Sequence, residues 1–131
     1  MIKQMLLVTL AGILWFGISY CEPELSIPNE RLQSTEARSY GKDLFLKHCS
    51  QCHGLKGDGR ARVKAGHLFL RGHPPDFYSS NWRNKVSALK VFKTIRDGVK
   101  GTSMPSFGKL LSDEKKWDLT AYLLSIHEHG P

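Results

Sequence analysis

The chain has 131 residues, room for one domain and an N-terminal extension but not for a second core of ordinary size. Its 19 Lys and Arg against 12 Asp and Glu give a formal net charge of +7, which favours acidic partners or anionic surfaces and says little about fold. No basic block interleaved with stacking aromatics stands out, so no nucleic-acid partner is expected.

The chain opens with Met1-Ile-Lys-Gln, and from Met5 to Tyr20 it is almost wholly apolar before acids appear at Glu22 and Glu24. A short basic start, an apolar run and a polar exit make a signal-sequence layout over residues 1–20. The run is slightly long for the apolar part of a signal peptide and slightly short for a membrane span, so cleavage and retention as an anchor both stay open. Lys3 before it and carboxylates after it agree with export of the remainder. Gly17-Ile18-Ser19 offers small residues for cleavage after Ser19, and Cys21 adds a third reading, lipid attachment, against which Tyr20 replaces the small residue expected there. Residues 21–38, with Pro23 and Pro28, lack a sustained apolar period and read as a polar linker.

Ser39 is a plausible N-cap for a helix in which Gly41, Leu44, Phe45, His48, Cys49 and Cys52 recur at helical spacing. At its C-terminal end stands Cys49-Ser50-Gln51-Cys52-His53, the C-x-x-C-H pattern of covalent haem attachment. Two thiols at this spacing can add across the vinyl groups of a porphyrin, and the next residue then lies beside the iron, where a neutral imidazole takes an axial position. A redox dithiol or half a zinc site would use the same two cysteines. Structural zinc, however, wants a second Cys or His pair, and the remaining cysteine is Cys21; a dithiol of the thioredoxin kind is expected in a βαβ setting, whereas these flanks are helical.

Gly54 can end the helix, and Gly57-Asp58-Gly59 is turn chemistry. Residues 60–78 are loop-rich, with Gly66, Gly72 and Pro74-Pro75, and no strand pattern occurs. Ser87 precedes the stripe Ala88, Val91, Phe92 and Ile95, which Asp97-Gly98 closes as a second helix. A loop with Gly101, Met104 and Pro105 follows. Ser112-Asp113-Glu114 then opens a last helix, largely buried by Trp117, Leu119, Ala121, Tyr122, Leu123, Leu124 and Ile126. The domain is expected over residues 39–128, with a polar tail at 129–131.

Over roughly residues 40–126 the chain resembles the class I cytochrome c family. Gly41-Lys-Asp-Leu-Phe45 leading into the C-x-x-C-H motif is similar to that family's first helix and haem site. Gly98-Val-Lys-Gly-Thr-Ser-Met104-Pro105-Ser-Phe107 is similar to its axial methionine loop, and Trp117-Asp-Leu-Thr-Ala-Tyr122-Leu-Leu to its last helix. The resemblance implies an all-α cytochrome c fold, three to five helices around one covalent haem c, with Gly41 and Phe45 packing on Leu119 and Tyr122. It also implies that a carbonyl of Pro74 or Pro75 receives the second ring N–H of His53. Trp82 and Arg83 are weaker candidates for haem carboxylate contacts.

Cofactor-binding residues are therefore Cys49, Cys52, His53 and Met104, with His53 and Met104 on the iron. Met104 is the one methionine outside the targeting segment, and its thioether is a soft ligand suited to ferrous iron. Competing donors are His48, His67, His73, His127 and His129, of which His48 sits on the tethered helix and cannot readily reach the opposite haem face. With both axial positions filled, the expected function is one-electron transfer, not enzymatic catalysis, by an exported, periplasmic monohaem cytochrome. Expected partners are redox proteins with acidic docking surfaces, met by Lys47, Lys56, Lys100 and Lys109, with membrane association through the N-terminus. Two alternatives stand beside this: a haem subunit of a membrane oxidase or dehydrogenase, and a peroxidase or gas-binding protein with a labile sixth ligand.

Overall fold

The computed structural model describes residues 26–60 and 71–126. Among these residues every regular element is helical, the all-α class expected. The order is α1 (Asn29–Gln33), α2 (Thr35–His48), α3 (Ser50–His53), α4 (Ser80–Arg83), α5 (Ala88–Asp97) and α6 (Asp113–Ser125). The signal or anchor segment, Cys21, His67 and the tail with His127 and His129 lie outside the described residues, and no helix among those described is long and apolar enough to cross a membrane.

α2, α5 and α6 carry the architecture. Serine starts each of them: Ser34, Ser87 and Ser112 accept from the backbone N–H three residues on, at Ala37, Lys90 and Lys115, satisfying a donor that a helix start leaves orphaned. Asp113 and Glu114 occupy the first turn of α6, where the helix dipole favours negative charge. α6 is buried around most of its circumference, including Trp117, Leu119, Thr120, Ala121 and Leu123. It crosses α2 at Gly41, where a Cβ would strike the Asp118 carbonyl and come within 2.9 Å of Tyr122 Cβ. Only a residue without a Cβ allows that approach. Phe45, fully buried, lies one turn further along with its ring centroid 5.5 Å from that of Tyr122. Leu44, Phe45, Phe77, Val91, Ile95, Leu111, Leu119, Leu123 and Ile126 form one core. Beside it Trp117 stacks on Phe92 with centroids 4.2 Å apart.

Two expectations about the first helix need correction. Its N-cap is Ser34, not Ser39, and within the expected linker residues 29–33 and 35–38 are helical. The first inward residue of α2 is Ala37, too small to mark a stripe in a polar stretch. α1 packs against both α2 and α6. It is fixed by Arg31, whose Nε and Nη2 donate to the Asp118 carboxylate at 2.6 and 3.1 Å. Asp118 is buried, so this two-pronged pair supplies the partner that a buried carboxylate requires. The second correction concerns the haem motif: α2 stops at His48 and the motif occupies the separate turn α3. Ser50 Oγ donates to the Leu46 carbonyl at 2.6 Å, the kind of back-bonding that bends a helix.

Candidate haem site

Local structure aims the C-x-x-C-H residues at one side. Cys52 N–H and His53 N–H both donate to the Cys49 carbonyl, at 3.0 and 2.9 Å, and Gly54 ends the turn with φ 85°. Cys49, Cys52 and His53 therefore project from a single tight turn into the space between α2, α5, α6 and the two loops that follow α3 and α5. That space has two lobes, of about 280 and 450 Å³, the size range of sites that enclose a small molecule. The first lobe is lined by His48, Cys52, His73 and Pro74 among others. The second reaches Phe45, Trp82, Val91, Ile95, Leu119 and Leu123 in the core. Cys49, His53, Pro75, Val99, Met104 and Phe107 line both, so the lobes are two parts of one cleft and the predicted ligand residues meet along their junction.

The electrostatics suit a ligand site better than a redox dithiol. Cys49 and Cys52 are not joined in a disulfide. Burial, then the neighbouring Cys52, push the Cys49 thiol up to about 12, whereas thiols used in disulfide exchange are held low so that thiolate is present. Burial lowers the pKa of His53 and so keeps the ring neutral, the form that binds metal. Among the described residues no group of three or more His, Cys, Asp or Glu side chains is gathered to hold a metal ion. The His53 ring stacks on Phe77 (centroids 5.1 Å, 15° between planes). Phe77 is wedged against Trp82 at 4.9 Å and Phe45 at 6.2 Å, so the imidazole plane is set by the core.

One expected contact is absent. His53 Nδ1 is buried without a hydrogen-bond partner, so neither Pro74 nor Pro75 receives it. Both carbonyls turn instead toward Gly59, where a Cβ would lie 2.6 Å from the Pro74 oxygen and 3.2 Å from that of Pro75. Trp82 lines the cleft, while Arg83 is exposed and does not. The orphaned nitrogen, the apolar walls and a donor set of two thiols, an imidazole and a thioether fit a haem with thioether attachment. Of the competing donors, His73 and His48 line the first lobe, the His48 ring centroid lying 6.3 Å from that of Phe107 with the rings 67° apart. Phe77 had no signal as the stacking partner of His53, because its spacing matched no helical stripe.

Comparison with known proteins agrees with this geometry. A family model described as Cytochrome C oxidase, cbb3-type, subunit III, matches residues 36–123. A cytochrome c of Tetrahymena pyriformis is 31% identical over 113 residues, covering 80% of this chain and 97% of the relative. The Cbb3-type cytochrome c oxidase subunit FixP of Sinorhizobium medicae (strain WSM419) is 30% identical over 108 residues, which span 76% of this chain but 33% of FixP. A chain of the Kuenenia stuttgartiensis reducing HAO-like protein complex Kustc0457/Kustc0458 superposes with a TM-score of 0.62 at 28% identity, over 82% of this chain and 52% of that one. The KustC0563 c-type cytochrome shares the fold, with a TM-score of 0.53 at 23% identity over 66% of this chain and 95% of its own. The chain belongs to the cytochrome c family. It is a haem electron carrier of cytochrome c type, and its cofactor is covalently bound haem c with its iron.

Proposed function

We propose that the protein is an exported monohaem carrier of single electrons in which Cys49 and Cys52 hold the haem and His53 and Met104 are the two axial ligands. The observation that carries this reading is that Cys49, His53 and Met104 share the junction of one apolar cleft. The bound haem supplies a one-electron ferric–ferrous couple, which a thioether ligand shifts toward the ferrous state. The chain supplies the rest. Burial keeps the His53 ring neutral, Phe77 fixes its plane, and the loop from Gly98 to Phe107 brings Met104 to the lining of the same cleft. The apolar lining from Val91, Ile95, Leu119 and Leu123 excludes water. With both axial positions filled by side chains, no position is left for a substrate or for oxygen, so the chain transfers electrons and is not itself an enzyme.

Lys47, Lys56, Lys100 and Lys109 are exposed on the segments that carry the ligands, and exposed Val99 and Pro105 stand at the cleft. Such a rim suits brief docking of redox partners with acidic surfaces. Residues 1–20 act as the export signal, placing the domain in a periplasm, and Cys21 or an uncleaved segment is the place for membrane tethering. A second reading, a haem subunit of a larger membrane complex, is supported by the likeness to FixP and to the Kuenenia complex, and co-purification with a membrane complex distinguishes it. Carbon monoxide added to the ferrous protein at neutral pH tests the closed site: the spectrum should not change, and rapid binding would refute the proposal in favour of a gas- or peroxide-binding protein.

A further inference from the structure

The backbone just beyond Met104 serves as the end cap of α5. A helix leaves its last carbonyls without intrahelical donors. In α5 the Thr94 carbonyl takes the Gly98 N–H at 2.9 Å, the Ile95 carbonyl takes the Phe107 N–H at 3.0 Å, and the Arg96 carbonyl takes the Ser106 hydroxyl at 2.6 Å. Ser106 Oγ also accepts from Gly108 N–H at 3.2 Å. The Gly108 carbonyl in turn receives buried Lys116 Nζ at 3.5 Å, and Lys116 is paired with Asp113 at 2.7 Å. A line of polar contacts therefore runs from the end of α5, across the chain after Met104, to the first turns of α6. Val99 N–H donates to the Met104 carbonyl at 3.2 Å and closes the loop.

We propose that Ser106 is a positioning residue for Met104, its hydroxyl setting how often the loop lifts from the cleft and hence how firmly the sixth position is held. This rests on the reading of Met104 as the axial ligand. Lifting the loop breaks the bonds to Ile95 and Arg96 together. The Phe107 bond is made by backbone and survives any side-chain change, whereas the Ser106 bond is open to substitution. Ser106 is itself exposed and lines neither lobe, so its effect passes through the loop and not through the cleft wall. Losing one hydrogen bond of this kind favours the open loop by about three- to tenfold. An exogenous ligand that binds only the open form gains apparent affinity by the same factor.

The test uses the full-length ferric holoprotein, titrated with imidazole, as wild type, Ser106→Ala and Ser106→Thr. A sulfur-to-iron charge-transfer band is expected in all three before imidazole is added. Ser106→Ala should bind imidazole about three- to tenfold more tightly, and Ser106→Thr, which keeps the hydroxyl, should stay within about twofold of wild type. A general loss of stability would not produce this pattern, because imidazole binds the folded chain. If wild type shows the band and Ser106→Ala binds imidazole like wild type, the positioning role is overturned while ligation by Met104 stands. Equal tightening in the Ala and Thr variants also overturns it. A wild-type protein without the band removes the ligation reading and this proposal with it.

Discussion

At the scale of single residues, the two halves of the site were unequally legible. Cys49, Cys52 and His53 announce themselves because the chemistry of attachment demands their spacing. Met104 stands out because Gly98 and Gly101 precede it, Pro105 follows it and an apolar helix comes next, and it lines the same cleft as Cys49 and His53. What escaped was support supplied by residues with ordinary letters: the Phe77 ring under His53, the Ser106 hydroxyl on Arg96, and Gly98 as a crossing point. Gly98 is the helix stop that its place after the apolar stripe suggests, with φ 71°. It is also where the backbone of residues 104–106 passes, so that a Cβ would lie 2.7 Å from the Pro105 carbonyl carbon and 2.8 Å from both Met104 O and Ser106 N. Gly98→Ala therefore combines a left-handed backbone conformation with a collision that side-chain rotation cannot relieve. The backbone conformation alone should cost about 1–3 kcal/mol. Thermal melting of the ferric holoprotein should register that loss, and the charge-transfer band should weaken more than in Ser106→Ala; an unchanged melt and band would refute the crossing as described.

At the scale of elements, the helix starts at Ser87 and Ser112 and the stop at Gly98 were readable because cap chemistry coincided with the edge of a clear apolar stripe. The start of α2 was misplaced because that coincidence failed. Ser34 caps a helix whose first buried position is an alanine, and the next serine, Ser39, sits before the more visible Gly41, Leu44 and Phe45. α1 had no local signal at all. It owes its place to Arg31 meeting Asp118, 87 positions away in the chain, a contact that no pattern of nearby residues encodes. Asp118 side-chain exposure is 4%, against 38% for Arg31, so removing the arginine strands a charge that water cannot easily reach. Arg31→Ala should lower stability by about 1.5–3 kcal/mol, read by denaturant unfolding of the holoprotein. Removal of residues 1–38 should cost more than removal of residues 1–25, because α1 and the Ser34 cap go with the longer piece. Equal stability of the two truncated proteins would return residues 29–38 to the role of linker.

At the scale of the whole molecule, the described residues build their interior around a cleft between three substantial helices. The walls of the second lobe are core residues of α2, α5 and α6, so the surfaces that would pack together in an ordinary small bundle here face the cofactor's place. A domain of this size buries little apolar surface on its own. The haem therefore belongs to the folding free energy as much as to function, since whatever binds the native state alone stabilises it. Cys49→Ala combined with Cys52→Ala should yield unfolded or degraded protein, checked by far-ultraviolet circular dichroism and proteolysis; a cooperatively melting apoprotein would contradict this. The fold class and the haem were legible from sequence because this architecture ties both to one short motif. The linkage between α5, the Met104 loop and α6 was not, because hydroxyl-to-carbonyl contacts leave no periodic trace. Electron transfer as proposed requires Met104 on the iron opposite His53, and His73, like His48, is another donor that lines the cleft. The most direct test is the absorption spectrum of the ferric protein as wild type, Met104→Ala and His73→Ala. The sulfur-to-iron charge-transfer band should be present in wild type and in His73→Ala and lost in Met104→Ala. A band missing from wild type, or one that survives in Met104→Ala, would contradict the closed thioether-ligated site from which electron transfer is inferred.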